Sequence, residues 1–71
     1  MTKQEYLEKL SNMYGIDLIM DELPYRRCLV REEINANGRD TQKYYELLEM
    51  YYTCRDYIID RLDKGKQLPL H

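Results

Sequence analysis

The stretch DTQKYYELLEMYYTCRDYIIDRLD, residues 40–63, decides the fold. Tyr44, Leu47, Leu48, Tyr51, Cys54, Ile58 and Leu62 recur within it at close to alternating three-and-four spacing, which places them on one side of an α-helix. Tyr45, Tyr52 and Ile59 widen that face on one flank, and Met50 and Tyr57 widen it on the other. The apolar arc then covers about half of the helix circumference, more than a single-sided core helix needs. Asp40 is the expected N-cap of a helix running over about 41–63, with Lys64-Gly65 as its stop.

Working backwards, Asn37-Gly38 closes a preceding helix, expected over about 22–36. That helix carries two stripes. Leu23, Val30 and Ile34 lie on one side and Tyr25, Leu29 and Ala36 lie roughly opposite, with Arg26, Arg27, Arg31, Glu32 and Glu33 between them. Two stripes suggest a helix sandwiched between its own core and a further surface. The segment 16–24 reads as a short turn of helix or a loop through residue 20 before that helix begins, with Asp17 and Asp21 as alternative caps and Pro24 tolerated only in a first turn or at a kink.

The first helix is expected over about 3–14. Thr2 and Glu5 have the spacing of a capping box, and Tyr6, Leu7, Leu10, Met13 and Tyr14 form one stripe. Gly15 is the expected left-handed closing residue, with Ile16 folding back onto Leu10. The fold class predicted is all-α: a small bundle of about three helices, two long and antiparallel plus the N-terminal one, in a single domain over 1–71. Residues 65–71 read as a mostly irregular tail that Leu68 and Leu70 tack down.

Seventy-one residues support one small core, which is marginal without a disulfide, a metal or a partner chain. Charged residues make up 34% of the chain, yet the net charge is only −2, so neither a basic nucleic-acid arm nor a long acidic tail is present. Direct nucleic-acid binding is therefore not expected. Apolar runs stop at three residues, such as Leu18-Ile19-Met20, too short for a membrane span or a secretion signal, and a cytoplasmic location is expected. Cys28 lies 10 residues before Gly38 and Cys54 lies 16 after it. That offset is about 9 Å along antiparallel helices, so both are expected to stay reduced.

Chemistry has little to build on. The only histidine is His71, neither cysteine has an activating partner near it in sequence, and no glycine-rich phosphate loop occurs. No catalytic residue, cofactor or metal is expected. Glu49, Asp56, Asp60 and Asp63 share one face and read as a solvated stripe. Arg26, Arg27 and Arg31 form the one local positive cluster, with Glu22, Glu32 and Glu33 placed to neutralise it.

Binding is the better-founded expectation. Eight tyrosines, with no phenylalanine or tryptophan, suit a surface that alternates between water and a partner. Tyr45, Tyr52, Ile59, Met50 and Tyr57 are expected to carry association with another protein or a second copy in a homodimer, and Tyr25 and Leu29 to add a second contact. Acting by binding, the chain would be a regulator or inhibitor.

Two resemblances accompany this reading. Met1-Thr2-Lys3-Gln4-Glu5-Tyr6-Leu7 and Tyr52-Thr53-Cys54-Arg55-Asp56 resemble segments of the haemolysin-expression-modulating family of nucleoid-associated proteins. That resemblance implies an all-helical modulator of gene expression working through a DNA-binding partner. Tyr57 and Ile58 stand where the family has histidine and arginine, and about a dozen extra residues separate the two segments. Ile34-Asn35-Ala36-Asn37-Gly38, followed by Asp40 and a long helix, looks like the hairpin of small sporulation-type aspartyl-phosphate phosphatases. The Ser-Gln-x-x-Leu-Asp motif of that family's second helix is absent, with Leu47-Leu48-Glu49-Met50-Tyr51 in the nearest register.

Overall fold

The computed structural model describes the backbone of residues 1–67 and the side chains of residues 1–63. It is all-helical: α1 (Lys3–Ser11), α2 (Gly15–Asp17), a π-helical turn (Leu18–Glu22), α3 (Leu23–Asn37) and α4 (Gln42–Gln67). α2, the π turn and α3 run on without a break, so the bundle has three arms: α1, the composite rod 15–37, and α4. The expectations for Leu68 and Leu70 lie outside the described residues.

α1 starts as its sequence dictates. The Thr2 hydroxyl accepts from the Glu5 amide at 3.1 Å, and the Thr2 amide donates to the Glu5 carboxylate at 2.9 Å. The helix ends at Ser11, short of the expected Tyr14. Ser11 Oγ and Asn12 Nδ2 both donate to the Glu8 carbonyl, at 2.7 and 3.1 Å, so these polar side chains satisfy it where the ladder stops. Gly15 is not left-handed; it begins the next helical arm. Tyr14 and Ile16, expected on or against the core stripe, are 78% and 69% exposed.

Of the turn of helix or loop expected through residue 20, helix is what forms, and neither Asp17 nor Asp21 caps it, since Asp17 is itself helical and its side chain makes no cap bond. Pro24 explains the π turn. Proline offers no amide, and its ring crowds the carbonyl four residues back, so the ladder widens just upstream. The Leu23 amide accordingly bonds the Leu18 carbonyl, five residues back. The wider turn also offsets the drift of a four-residue spacing around a 3.6-residue helix. Leu18, Glu22, Arg26 and Val30, four apart, consequently all face inward.

Gly38 ends α3 at φ 84°, ψ −165°, a region open essentially to glycine, with its amide on the Ile34 carbonyl at 2.9 Å. Thr41, not Asp40, caps α4: its hydroxyl accepts from the Tyr44 amide at 2.9 Å. The same hydroxyl donates to the buried Glu33 carboxylate at 2.9 Å, which also receives Asn37 Nδ2 at 3.0 Å. One carboxylate thereby ties the end of α3 to the start of α4. At the far end the α4 backbone continues through Lys64-Gly65 to Gln67, past the expected stop.

The core is thin. Tyr6, Leu10, Leu18, Cys54 and Ile58 form the buried cluster, and Leu7, Met13, Leu23, Met50 and Tyr57 pack against it. Tyr44, Leu47, Leu48 and Tyr51 are half-buried, and Leu62, expected in the core, is 52% exposed. A nine-residue α1 cannot cover a 26-residue α4, so the ends of the long helix overhang. The molecule measures 49 × 21 × 16 Å with a radius of gyration of 13.9 Å, against about 11 Å for a compact chain of this length.

Candidate interaction surface

Two features stand out: a buried polar cluster that holds the three arms in place, and the apolar surface that this arrangement leaves exposed.

The polar cluster sits where α1 meets the composite rod and α4. Tyr6 Oη donates to Glu22 Oε2 at 2.7 Å, and Arg26 Nε donates to the same oxygen at 2.9 Å and to Tyr6 Oη at 3.2 Å. Lys9 Nζ approaches the other Glu22 oxygen at 3.8 Å. The Arg26 guanidinium lies 4.7 Å from the Tyr6 ring centre and reaches the Met50 sulfur at 3.8 Å. Glu22 and Arg26 are only 6% and 9% exposed, and among the described residues no buried side-chain nitrogen or oxygen lacks a partner. The expected arginine cluster is therefore split: Arg26 is interior, while Arg27 and Arg31 are exposed.

Burial alone would raise the Glu22 carboxyl, but the bonds from Tyr6 and Arg26 and the charges of Arg26 and Lys9 outweigh it and hold it below 4.5, the ordinary value. Burial works against the Arg26 charge as well, yet Glu22 and Tyr6 keep it firmly protonated. Burial, then the bond to Glu22, pushes the Tyr6 phenol well above 10.0, its ordinary value. Burial likewise raises the Cys54 thiol above 9.0.

A pH profile follows from the signs. The lowered carboxyl contributes stability that is complete above 4.5 and is lost as pH falls through its folded value. The raised phenol and thiol contribute stability that is complete below 9.0 and is lost as pH rises. Urea unfolding at a series of pH values should show a plateau between these limits with a decline on each side. Greatest stability in strong acid would contradict it.

Both cysteines are free thiols, Cys54 buried and Cys28 exposed, as their offset predicts. Among the described residues no group of His, Cys, Asp and Glu is placed to hold a metal ion. No helix among them is long and apolar enough to cross a membrane.

Around this interior, the side of α4 turned away from Cys54 and Ile58 is left bare. Tyr45, Tyr52 and Ile59 are 58%, 42% and 48% exposed. Each tyrosine pair straddles the edge of the bundle, with Tyr44 and Tyr51 half-buried and Tyr45 and Tyr52 outside. The rings touch within each pair, at centroid separations of 5.2 and 5.6 Å. The Arg55 guanidinium lies 4.6 Å from the Tyr52 ring centre. A shallow cleft between this side and α1 is lined by Tyr45, Leu48, Tyr52 and Tyr57, by Thr53, by Glu49, Asp56 and Asp60, and by Lys3 and Leu7 of α1.

The seven residues expected to carry association divide. Tyr45, Tyr52 and Ile59 share the bare side of α4; Met50 and Tyr57 pack against the core, and Tyr57 also lines the cleft with Tyr45 and Tyr52. Tyr25 is 54% exposed and Leu29 half-buried; both lie on α3, apart from the α4 cleft. A second bare group went unread in the sequence: Tyr14, Ile16, Ile19 and Met20, with Ile19 and Leu62 lining one cleft. The run Leu18-Ile19-Met20 was its one visible signal, since three consecutive apolar residues on a helix cannot all face inward.

No protein-family model matches the chain, and no curated protein or solved structure matches it significantly.

Proposed function

We propose that this chain is a small protein-interaction module, a regulator or inhibitor that acts by binding another protein and not by catalysis. One observation carries the reading. Among the described residues ten large apolar side chains are exposed, while six apolar residues are buried. Exposed apolar residues scattered singly are ordinary; Tyr45, Tyr52 and Ile59 aligned on one side of a helix have the composition of a contact surface. A homodimer is one form this association can take, and a cytoplasmic site of action goes with the reading.

Tyr52 is the residue on which to test it. Being 42% exposed, Tyr52 should cost less than about 1 kcal/mol of folding stability when replaced by alanine. As a central contact its loss should weaken binding by about tenfold or more. Wild type and Tyr52→Ala are compared by thermal melt and as immobilised baits for a lysate of the source cells. A protein held by wild type and depleted on the variant, at unchanged helix stability, is the expected result. Identical retention on both baits, or a variant that unfolds, would remove Tyr52 from the contact surface.

A further inference from the structure

The bare side of α4 has a pattern of its own. Tyr45, Leu48, Tyr52, Arg55, Ile59 and Leu62 alternate three and four residues apart, a second coiled-coil seam opposite the one that packs the core. Arg55 occupies the single polar place and lies over the Tyr52 ring, where its stem can pack while its charge stays wet.

The edges of this seam decide what can cover it. One residue after each of Leu48, Arg55 and Leu62 stands an exposed acid: Glu49, Asp56 and Asp63. Asp56 pairs with Arg55 at 3.3 Å, an exposed contact of little strength. The opposite edge, Tyr44, Tyr51 and Ile58, is half-buried or buried within the chain's own bundle. An incoming helix therefore meets an apolar seam with one open flank, and the α4 side of that flank is acidic, with Lys3 of α1 across the cleft. A second copy laid antiparallel would set acid against acid; laid parallel, it would need the flank that the bundle already covers. Flanking charges of this kind set partner choice in helix pairs.

Resting on the protein-binding reading above, we infer that this face takes a helix of another protein, apolar at three-and-four spacing and lined along one edge by lysine or arginine. The probe is the chain itself with its edge reversed: Glu49→Lys, Asp56→Lys and Asp63→Lys together. Light scattering and sedimentation should find wild type and variant each monomeric, and their mixture should associate at least about tenfold more tightly than either with itself. Added salt should weaken that mixed complex, and Tyr52→Ala in either component should abolish it. The neutral form, Glu49→Gln, Asp56→Asn and Asp63→Asn, should self-associate where wild type does not; this guards against a reversed variant that fails to fold. A wild-type dimer dissociated by Tyr52→Ala overturns the inference, because the seam then closes on itself. So does a mixture that stays monomeric alongside a monomeric neutral form. These outcomes concern the partner's charge, whereas a wild-type bait that retains no protein defeats the protein-binding reading itself.

Discussion

Glu22→Ala is expected to destabilise the fold by about 3–5 kcal/mol, the usual cost of removing one partner from a buried ion pair. The loss is large because Glu22 Oε2 accepts from both Tyr6 and Arg26. With the carboxylate gone, a guanidinium in a 9% exposed residue keeps only the Tyr6 hydroxyl and a sulfur as close polar neighbours. A chain of this length has a total stability of about 4–11 kcal/mol, so the variant should be near or past the point of unfolding. Urea unfolding followed by circular dichroism measures it. The double variant Glu22→Leu/Arg26→Met should recover most of the loss, since apolar replacement of a whole buried pair is commonly neutral. A Glu22→Ala variant within about 1 kcal/mol of wild type would mean that water replaces the carboxylate and that the cluster is not an interior feature.

Leu10→Ala should cost about 2–5 kcal/mol, the second large effect. Leu10 is fully buried, and it sits in a cluster of five residues where Leu18, Cys54 and Ile58 meet it from the other two arms. A nine-residue helix has little capacity to hold itself in water, so α1 depends on Tyr6 and Leu10 to stay docked. The expected result is lower stability with α1 the first part to lose hydrogen-exchange protection. Set beside Tyr52→Ala, it separates the two faces of the molecule: deletion at the core should unfold, and deletion on the bare side of α4 should not. Comparable stability losses from both would show that the outer row is structural.

The buried polar cluster alters how the surface is understood. Glu22, Arg26 and Glu33 occupy inward places on the composite rod, where apolar residues would otherwise add to the core. The fold is thus held by a few apolar contacts and two carboxylates that each gather several donors, at the α1 contact and at the α3–α4 turn. Tyr14, Tyr25, Tyr45 and Tyr52, which could enlarge the core, lie outside instead. That division, with Glu22, Arg26 and Glu33 within and Tyr45 and Tyr52 without, is what the proposed association rests on.

Much of the architecture was legible in the residues. The Thr2–Glu5 capping box, the glycine turn at Gly38 and the long period of α4 are local signals, each acting over a few positions of one chain segment. Backbone sterics and helix periodicity suffice to express them. The end of α1, the cap of α4 and the path through residues 16–24 were not readable with the same ease. Ser11 and Asn12 compete with Gly15 to stop the helix, Thr41 competes with Asp40 to start one, and Pro24 admits several conformations whose energies lie close together.

That Tyr45, Tyr52 and Ile59 lie along one flank of α4 could be anticipated from periodicity, whereas the packing of Met50 and Tyr57 against the core could not. A wide apolar arc does not say which of its flanks the partner helix will cover. By itself the sequence determined the helices, their order, the sharp turn at Gly38 and an excess of apolar surface, because short-range propensity and spacing act along the chain. Only the tertiary structure decided that Glu22, Arg26 and Glu33 turn inward and that the tyrosine row stays outside. The burial of a charge depends on a partner brought from elsewhere in the chain, as Tyr6 is brought to Arg26 from 20 residues away.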